Sequence, residues 1–255
     1  MTNKEMLCTA LKQSALELNC TVDDLTGGKS KAVISSTAEG ARKYLSLPFY
    51  CQLVSYGSGI VASVNEEIYA DAEAYIEKYA PEHCFETPNM LVLQSALERR
   101  GMSACFMAEY WLCDTDAIRM IDCGYELRLL TAEDFALLYT PQWSNALCEK
   151  RKELDVLGIG AYDGEKLVGL AGCSADCESM WQIGVDVLPE YRRRGIASAV
   201  TSRLAAEIMA RGKVPFYCCA WSNVASARNA IRAGFRPAWV ELTTKSAEYT
   251  ADMNK

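Results

Sequence analysis

A chain of 255 residues, half of them apolar and 23% charged, is long enough to bury roughly 70–75% of its unfolded surface, as one large domain or two small ones. A net charge of −7 and a pI near 5.0 argue against nucleic acid as a bulk electrostatic partner. No apolar run reaches the ~20 residues that span a bilayer, so no membrane partner is expected.

The polar start Met1-Thr2-Asn3-Lys4-Glu5 has no signal-peptide core behind it, which predicts a cytoplasmic location. Residues 4–19 then read as a helix with Leu7, Leu11 and Leu18 on one face. Thr21 to Leu25 reads as a short capped helix or turn, and Gly27-Gly28-Lys29-Ser30 as a loop. It is not a P-loop, because Asp23 stands where the first glycine belongs. Val33-Ile34 predicts a short strand and Ala38–Tyr44 a helix. Phe49–Ser55 and Ile60–Val64 are apolar runs joined by Tyr56-Gly57-Ser58-Gly59, which is a hairpin signal. Glu66–Tyr79 is amphipathic and stops before Pro81. Met90–Arg99 predicts a helix and Ser103–Leu112 a buried strand. Residues 1–120 are thus an N-terminal α/β domain without a phosphate-binding signature, and Asp114–Gly124 is the expected boundary.

A second domain is expected over residues 125–245. Tyr125–Leu130 alternates as a strand does. Thr131 and Asp134 have capping-box spacing at the next helix start, and Trp143–Glu153 predicts a second helix. Leu157–Tyr162 and Leu167–Cys173 form a hairpin about Asp163-Gly164, and Met180–Val187 is the next strand. Ile196, Val200, Leu204 and Ile208 recur every four residues in a helix that Gly212 ends. Val214–Trp221 is a continuous apolar strand. Ser222 or Asn223 caps a further helix ended by Gly234, and Phe235 with Trp239–Leu242 returns as strand.

Twelve cysteines without an export signal are expected as reduced thiols. Cys51, Cys105, Cys218 and Cys219 sit in apolar runs, where cysteine acts as a small hydrophobe. Cys173 and Cys177 lack two further ligands of the usual spacing, so no metal is expected.

The stretch with the strongest chemistry is Val185-Asp186-Val187-Leu188-Pro189-Glu190-Tyr191-Arg192-Arg193-Arg194-Gly195-Ile196-Ala197-Ser198. A strand runs into a basic, glycine-containing turn that opens a helix. The first amides of a helix have no internal acceptor and carry partial positive charge, which suits a phosphate. Arg192-x-x-Gly195-x-Ala197, and Asn223-x-x-Ser226 followed by Gly234-Phe235, resemble the two signatures of the GNAT superfamily of acyl-CoA-dependent N-acetyltransferases. The element order over the C-terminal half is similar too.

That resemblance implies a mixed-sheet α/β fold whose fourth and fifth domain strands splay apart to admit the pantetheine arm of acetyl-CoA. It implies that the backbone of Val185 and Val187 pairs with that arm. The amides from Arg193 through Ile196 and Ala197 to Ser198 then hold the diphosphate, with charge from Arg192, Arg193 and Arg194, while Asn223 contacts the arm beside Ser226. The reaction implied is direct acetyl transfer to a primary amine. The N-terminal domain then either walls the acceptor site or forms a homodimer interface.

The catalytic residues are left unassigned. Ala230 stands where many members have the tyrosine that protonates the leaving thiolate, with Tyr217 and Cys219 as substitutes on the neighbouring strand. Ser179 and Trp181 stand at the usual carboxylate positions, with Glu178 adjacent. Holding amine and thioester together is a sufficient mechanism in principle. Two other readings stay open: an acyl-CoA-binding or regulatory module without catalysis, and a scaffold whose arginines meet a protein partner.

Overall fold

The computed structural model describes all 255 residues. In chain order the elements are α1 (Asn3–Leu18), α2 (Val22–Thr26), β1 (Lys31–Ile34), β2 (Cys51–Ser55), β3 (Val61–Val64), α3 (Tyr69–Lys78), α4 (Thr87–Glu98), β4 (Met102–Cys113), β5 (Glu126–Thr131), β6 (Asp155–Asp163), β7 (Lys166–Ser174), β8 (Met180–Val187), α5 (Ile196–Ala210), β9 (Val214–Ala220), α6 (Val224–Arg232), β10 (Phe235–Ser246) and α7 (Ala247–Met253). The fold is mixed α/β. No helix is long and apolar enough to cross a membrane. The chain divides into two compact units, one of Met1–Thr9 with Trp111–Pro237 and one of Ala10–Tyr110 with Ala238–Lys255.

In the unit built from residues 10–110 and 238–255, the strands run in the order β1–β3–β2–β10–β4. β1 is parallel to β3, and β2 is antiparallel to both β3 and β10. The predicted hairpin is present, with Leu53 opposite Ala62 and Val54 opposite Val61. Leu53, Ile60, Ala62 and Val64 pack against Ile68, Ala72, Tyr75 and Ile76 and against Leu93, Ala96 and Leu97 of α4. The helix predicted over 38–44 does not form. Arg42 is drawn inward instead: its guanidinium bonds Glu17 at 2.6 Å and Glu241 at 3.0 Å, and its amide donates to Glu17 at 2.9 Å. All three residues are buried. A buried charge that loses its partner costs about 3–5 kcal/mol, more than a single helical turn contributes, so the ion pairs dictate this segment.

In the other unit the strands run β9–β8–β7–β6–β5. β5 to β8 are successively antiparallel, and β8 is parallel to β9. Helix α5 closes one face by burying Ile196, Ala199, Val200, Leu204, Ala205 and Ile208, the period-four residues of the sequence and their neighbours. On the opposite face Leu130, Phe135, Trp143, Ala146, Leu147 and Leu170 form one apolar cluster. This face carries no α-helix, contrary to the two helices expected after Thr131. Short 3₁₀ turns at Ala132–Phe135, Pro141–Trp143 and Glu149–Leu154 take their place. The expected capping box is nonetheless made, with Asp134 accepting the Thr131 amide at 2.8 Å and hydroxyl at 3.1 Å.

Candidate active site

The register of the parallel pair β8–β9 defines the cleft. β8 and β9 pair from Met180–Val214 to Ile183–Tyr217 and no further, although β8 continues to Val187 and β9 to Ala220. Gly184 to Val187 remain paired with β7 on their other side, from Gly172 to Gly169. One edge of β8 over these four residues therefore lacks a strand neighbour, and all four, Val185 and Val187 among them, are only half-buried. An unpaired β edge is a ready template for an extended amide-bearing ligand. The Val187 carbonyl accepts the Arg192 Nε at 3.2 Å.

The turn after β8 aims backbone donors at the same place. Arg193 and Gly195 both take positive φ, +64° and +82°, so the chain doubles back before α5 begins. Gly195 occupies the cap position, and no side chain caps the helix. The first backbone bond is Ala199 N–H to the Gly195 carbonyl at 3.1 Å. The amides of Ile196, Ala197 and Ser198 thus precede the helical ladder and have no acceptor within it. Alternating backbone of this sort makes a concave array of donors for an anion, reinforced by the helix dipole. A diphosphate fits this donor set.

The three arginines are not equivalent. Arg194 folds back to the Tyr125 hydroxyl at 2.8 Å and the Glu190 carbonyl at 3.1 Å, and lies over the Tyr191 ring. Arg192 serves the Val187 carbonyl, while Arg193 is exposed at the tip of the turn. Positive charge is thus spread around the turn rather than gathered in one claw.

A buried polar network joins α5, β9 and α6. The Ser198 hydroxyl donates to Asn229 Oδ1 at 3.0 Å, and Asn229 Nδ2 to Thr201 at 3.2 Å. The Tyr217 and Ser226 hydroxyls are 2.7 Å apart. Burial pushes the Tyr217 phenol up, so it holds its proton at neutral pH. Asn223 is the N-cap of α6, its side chain accepting the Ser226 amide at 3.1 Å. Ser226 therefore turns toward Tyr217. Ala230 is fully buried on the same helix. Glu178 and Ser179 precede β8, Glu178 exposed, and Cys219 is buried on β9.

On the other face of β8 lies a set of residues that no sequence motif marks. Asp186 Oδ2 accepts the amides of Asn145 at 2.8 Å and Ala146 at 2.9 Å, and its Oδ1 accepts the Asn145 side-chain amide at 2.7 Å. Asp155, on β6, accepts the Cys148 amide at 2.8 Å. These bonds draw the Asn145, Ala146 and Cys148 amides away from the helix expected over 143–153, while Leu147 keeps an i→i−4 bond to the Trp143 carbonyl at 2.9 Å. Gly184 and Gly172, directly opposed across β8 and β7, let this segment lie on the sheet. A Cβ on Gly184 would lie 1.8 Å from the Asn145 carbonyl oxygen, and one on Gly172 would lie 2.2 Å from that of Ala146. Gln182 shares this face and donates to Cys218 Sγ at 3.1 Å, beside the last paired row of β8 and β9. The available signal was the lone carboxylate of Val185-Asp186-Val187, which shares a side-chain direction with Gly184.

A family model described as GNAT acetyltransferase matches residues 66–238, more than half of the chain. No curated protein matches it. Among solved structures it is similar to a GNAT-family acetyltransferase from Colwellia psychrerythraea, with 18% identity and a TM-score of 0.43 over 61% of this chain and 62% of that one. A GCN5-related N-acetyltransferase from Kribbella flavida gives 14% identity and a TM-score of 0.49 over 60% of this chain and 63% of that one. An aminoglycoside N-acetyltransferase, solved in complex with CoA, gives 18% identity and a TM-score of 0.36 over 45% of this chain and 90% of that one. This chain thus spans less than two thirds of the length of the first two structures. The match of the family model over the splayed strands and the uncapped helix places the chain in the GNAT acetyltransferase family.

Proposed function

We propose that this protein is an acetyltransferase that moves an acetyl group from acetyl-CoA to a primary amine by direct attack. The observation that carries the reading is the end of β8–β9 pairing at Ile183–Tyr217, next to a helix start with open amides. In this reading the backbone of Val185 and Val187 pairs with the pantetheine arm. The amides of Arg193 to Ser198 hold the diphosphate, Arg192 to Arg194 add positive charge, and Asn223 and Ser226 flank the arm.

The amine's lone pair forms the C–N bond as the C–S bond breaks. The CoA sulfur leaves with the electron pair and takes a proton, and the amine nitrogen loses one to water. Tyr217 is the proposed proton donor to sulfur. It lies in the last paired row, keeps its proton through burial, and is bonded to the helix that carries Ala230. Solvent restores its proton. General acid help of this kind contributes about a hundredfold or more. Residues 125–245 form the catalytic domain in this reading, and the protein works in the cytoplasm.

Calorimetry with CoA, followed by thiol release from acetyl-CoA with an amine panel, tests the proposal. Heat of binding and thiol release above background are expected; no heat at millimolar CoA ends it. The alanine at position 230 favours one second reading, a CoA-binding module without turnover, which predicts the heat without the thiol.

A further inference from the structure

We infer that Asp186 is a positioning residue that straps residues 144–148 across the open face of the cleft and so controls what reaches the thioester. The inference rests on the cleft assignment given above. Helix α5 and the Tyr217–Ser226 contact close one face of the splayed strands. The other face, onto which Gly184 and Asp186 project, is covered by the main chain of Asn145 and Ala146. An acceptor amine that approaches β8 from this face meets this segment first.

The strap is held by carboxylates from β8 and β6 more than by its own helical bonds, of which Leu147 N–H to the Trp143 carbonyl is one. Asp186 supplies three of the anchoring bonds and Asp155 a fourth, at Cys148. The opposed glycines Gly172 and Gly184 provide a floor without side chains. Ala146 and Leu147 are buried in the apolar cluster with Trp143 and Phe135. Both Asp186 oxygens are committed to donors, one to two backbone amides and one to the Asn145 side chain. That occupancy suits an anchor and not a base, which needs a lone pair turned toward the amine.

The test compares wild type, Asp186→Ala and Asp186→Asn by three readouts: hydrogen exchange of residues 144–148, CoA affinity by calorimetry, and thiol release from acetyl-CoA with water as the only acceptor. In Asp186→Ala the Asn145 and Ala146 amides are expected to exchange at least about tenfold faster, since local opening governs exchange. CoA affinity is expected to stay within about twofold, because the cradle lies on the other face. Hydrolysis is expected to rise several-fold as water enters. Asp186→Asn keeps one acceptor oxygen and is expected to restore most of both effects. Unchanged exchange overturns the inference, as does hydrolysis that falls equally in both variants or is absent from all three proteins. If wild type fails to bind CoA, the cleft reading itself falls, whatever the exchange shows.

Discussion

The two faces of β8 treat the same chemical group in opposite ways. On the α5 side, the amides of Ile196, Ala197 and Ser198 are left outside the helical ladder with no side-chain cap. On the strap side, the amides of Asn145, Ala146 and Cys148 are each taken by a carboxylate. An unpaired donor shut away from water costs about 1–3 kcal/mol, and on the function proposed above the open set is the one left for an acceptor from outside. The open set follows a basic turn and the closed set is held by two aspartates, so the proposed reading assigns the anion to the open set.

Substitutions break or sharpen this contrast to different degrees. The largest effect is expected from Gly195→Asp, which puts a carboxylate among the open amides. It should weaken CoA binding about a thousandfold in calorimetry, while the positive φ of position 195 costs the fold only about 1 kcal/mol. Retained CoA affinity in this variant would favour the scaffold reading. Next comes Tyr217→Phe, expected to lower kcat about a hundredfold with CoA affinity unchanged; equal loss of both would make Tyr217 a packing residue. On the closed side, Gly184→Val drives a side chain into the Asn145 carbonyl and should destabilise the fold by about 1–3 kcal/mol, read as a Tm lower by several degrees.

The smallest effect concerns pH. Burial lifts the Asp155 carboxyl from its ordinary 3.8 to about 6. Between those values the folded protein holds a proton that the unfolded chain has released, so stability falls as pH rises through the window and stays lower above it. Asp155→Asn has no such proton to lose and can still accept the Cys148 amide. Its Tm relative to wild type should therefore be higher at about pH 7 than at about pH 4.5, by a few degrees. A difference independent of pH would show that Asp155 titrates normally in the folded state.

Much of the fold was legible because the relevant signals are local. Period-four apolar residues gave α5, and the capping box Thr131/Asp134 is made as read. The Gly195 turn and the Asn223 cap were found from motif spacing, and both stand at helix starts. What escaped was decided by partners far away in sequence. Helix propensity over 38–44 lost to the pairing of Arg42 with Glu17 and Glu241. The helix expected over 143–153 lost to Asp186, forty residues further on, and to the glycine floor. The outward turn of Arg194 to Tyr125 was equally invisible, because a run of three arginines says nothing about where each one points. Local pattern predicts elements well until a buried charge or a close backbone approach overrides it.

The most direct measurement is a calorimetric comparison of CoA with pantetheine, which lacks the diphosphate, on the wild-type protein. If the open amides after Tyr191 clasp that diphosphate, pantetheine should bind at least about a hundredfold more weakly than CoA, since several charge-assisted bonds are lost. Equal affinity for the two ligands, or none for either, would contradict the account.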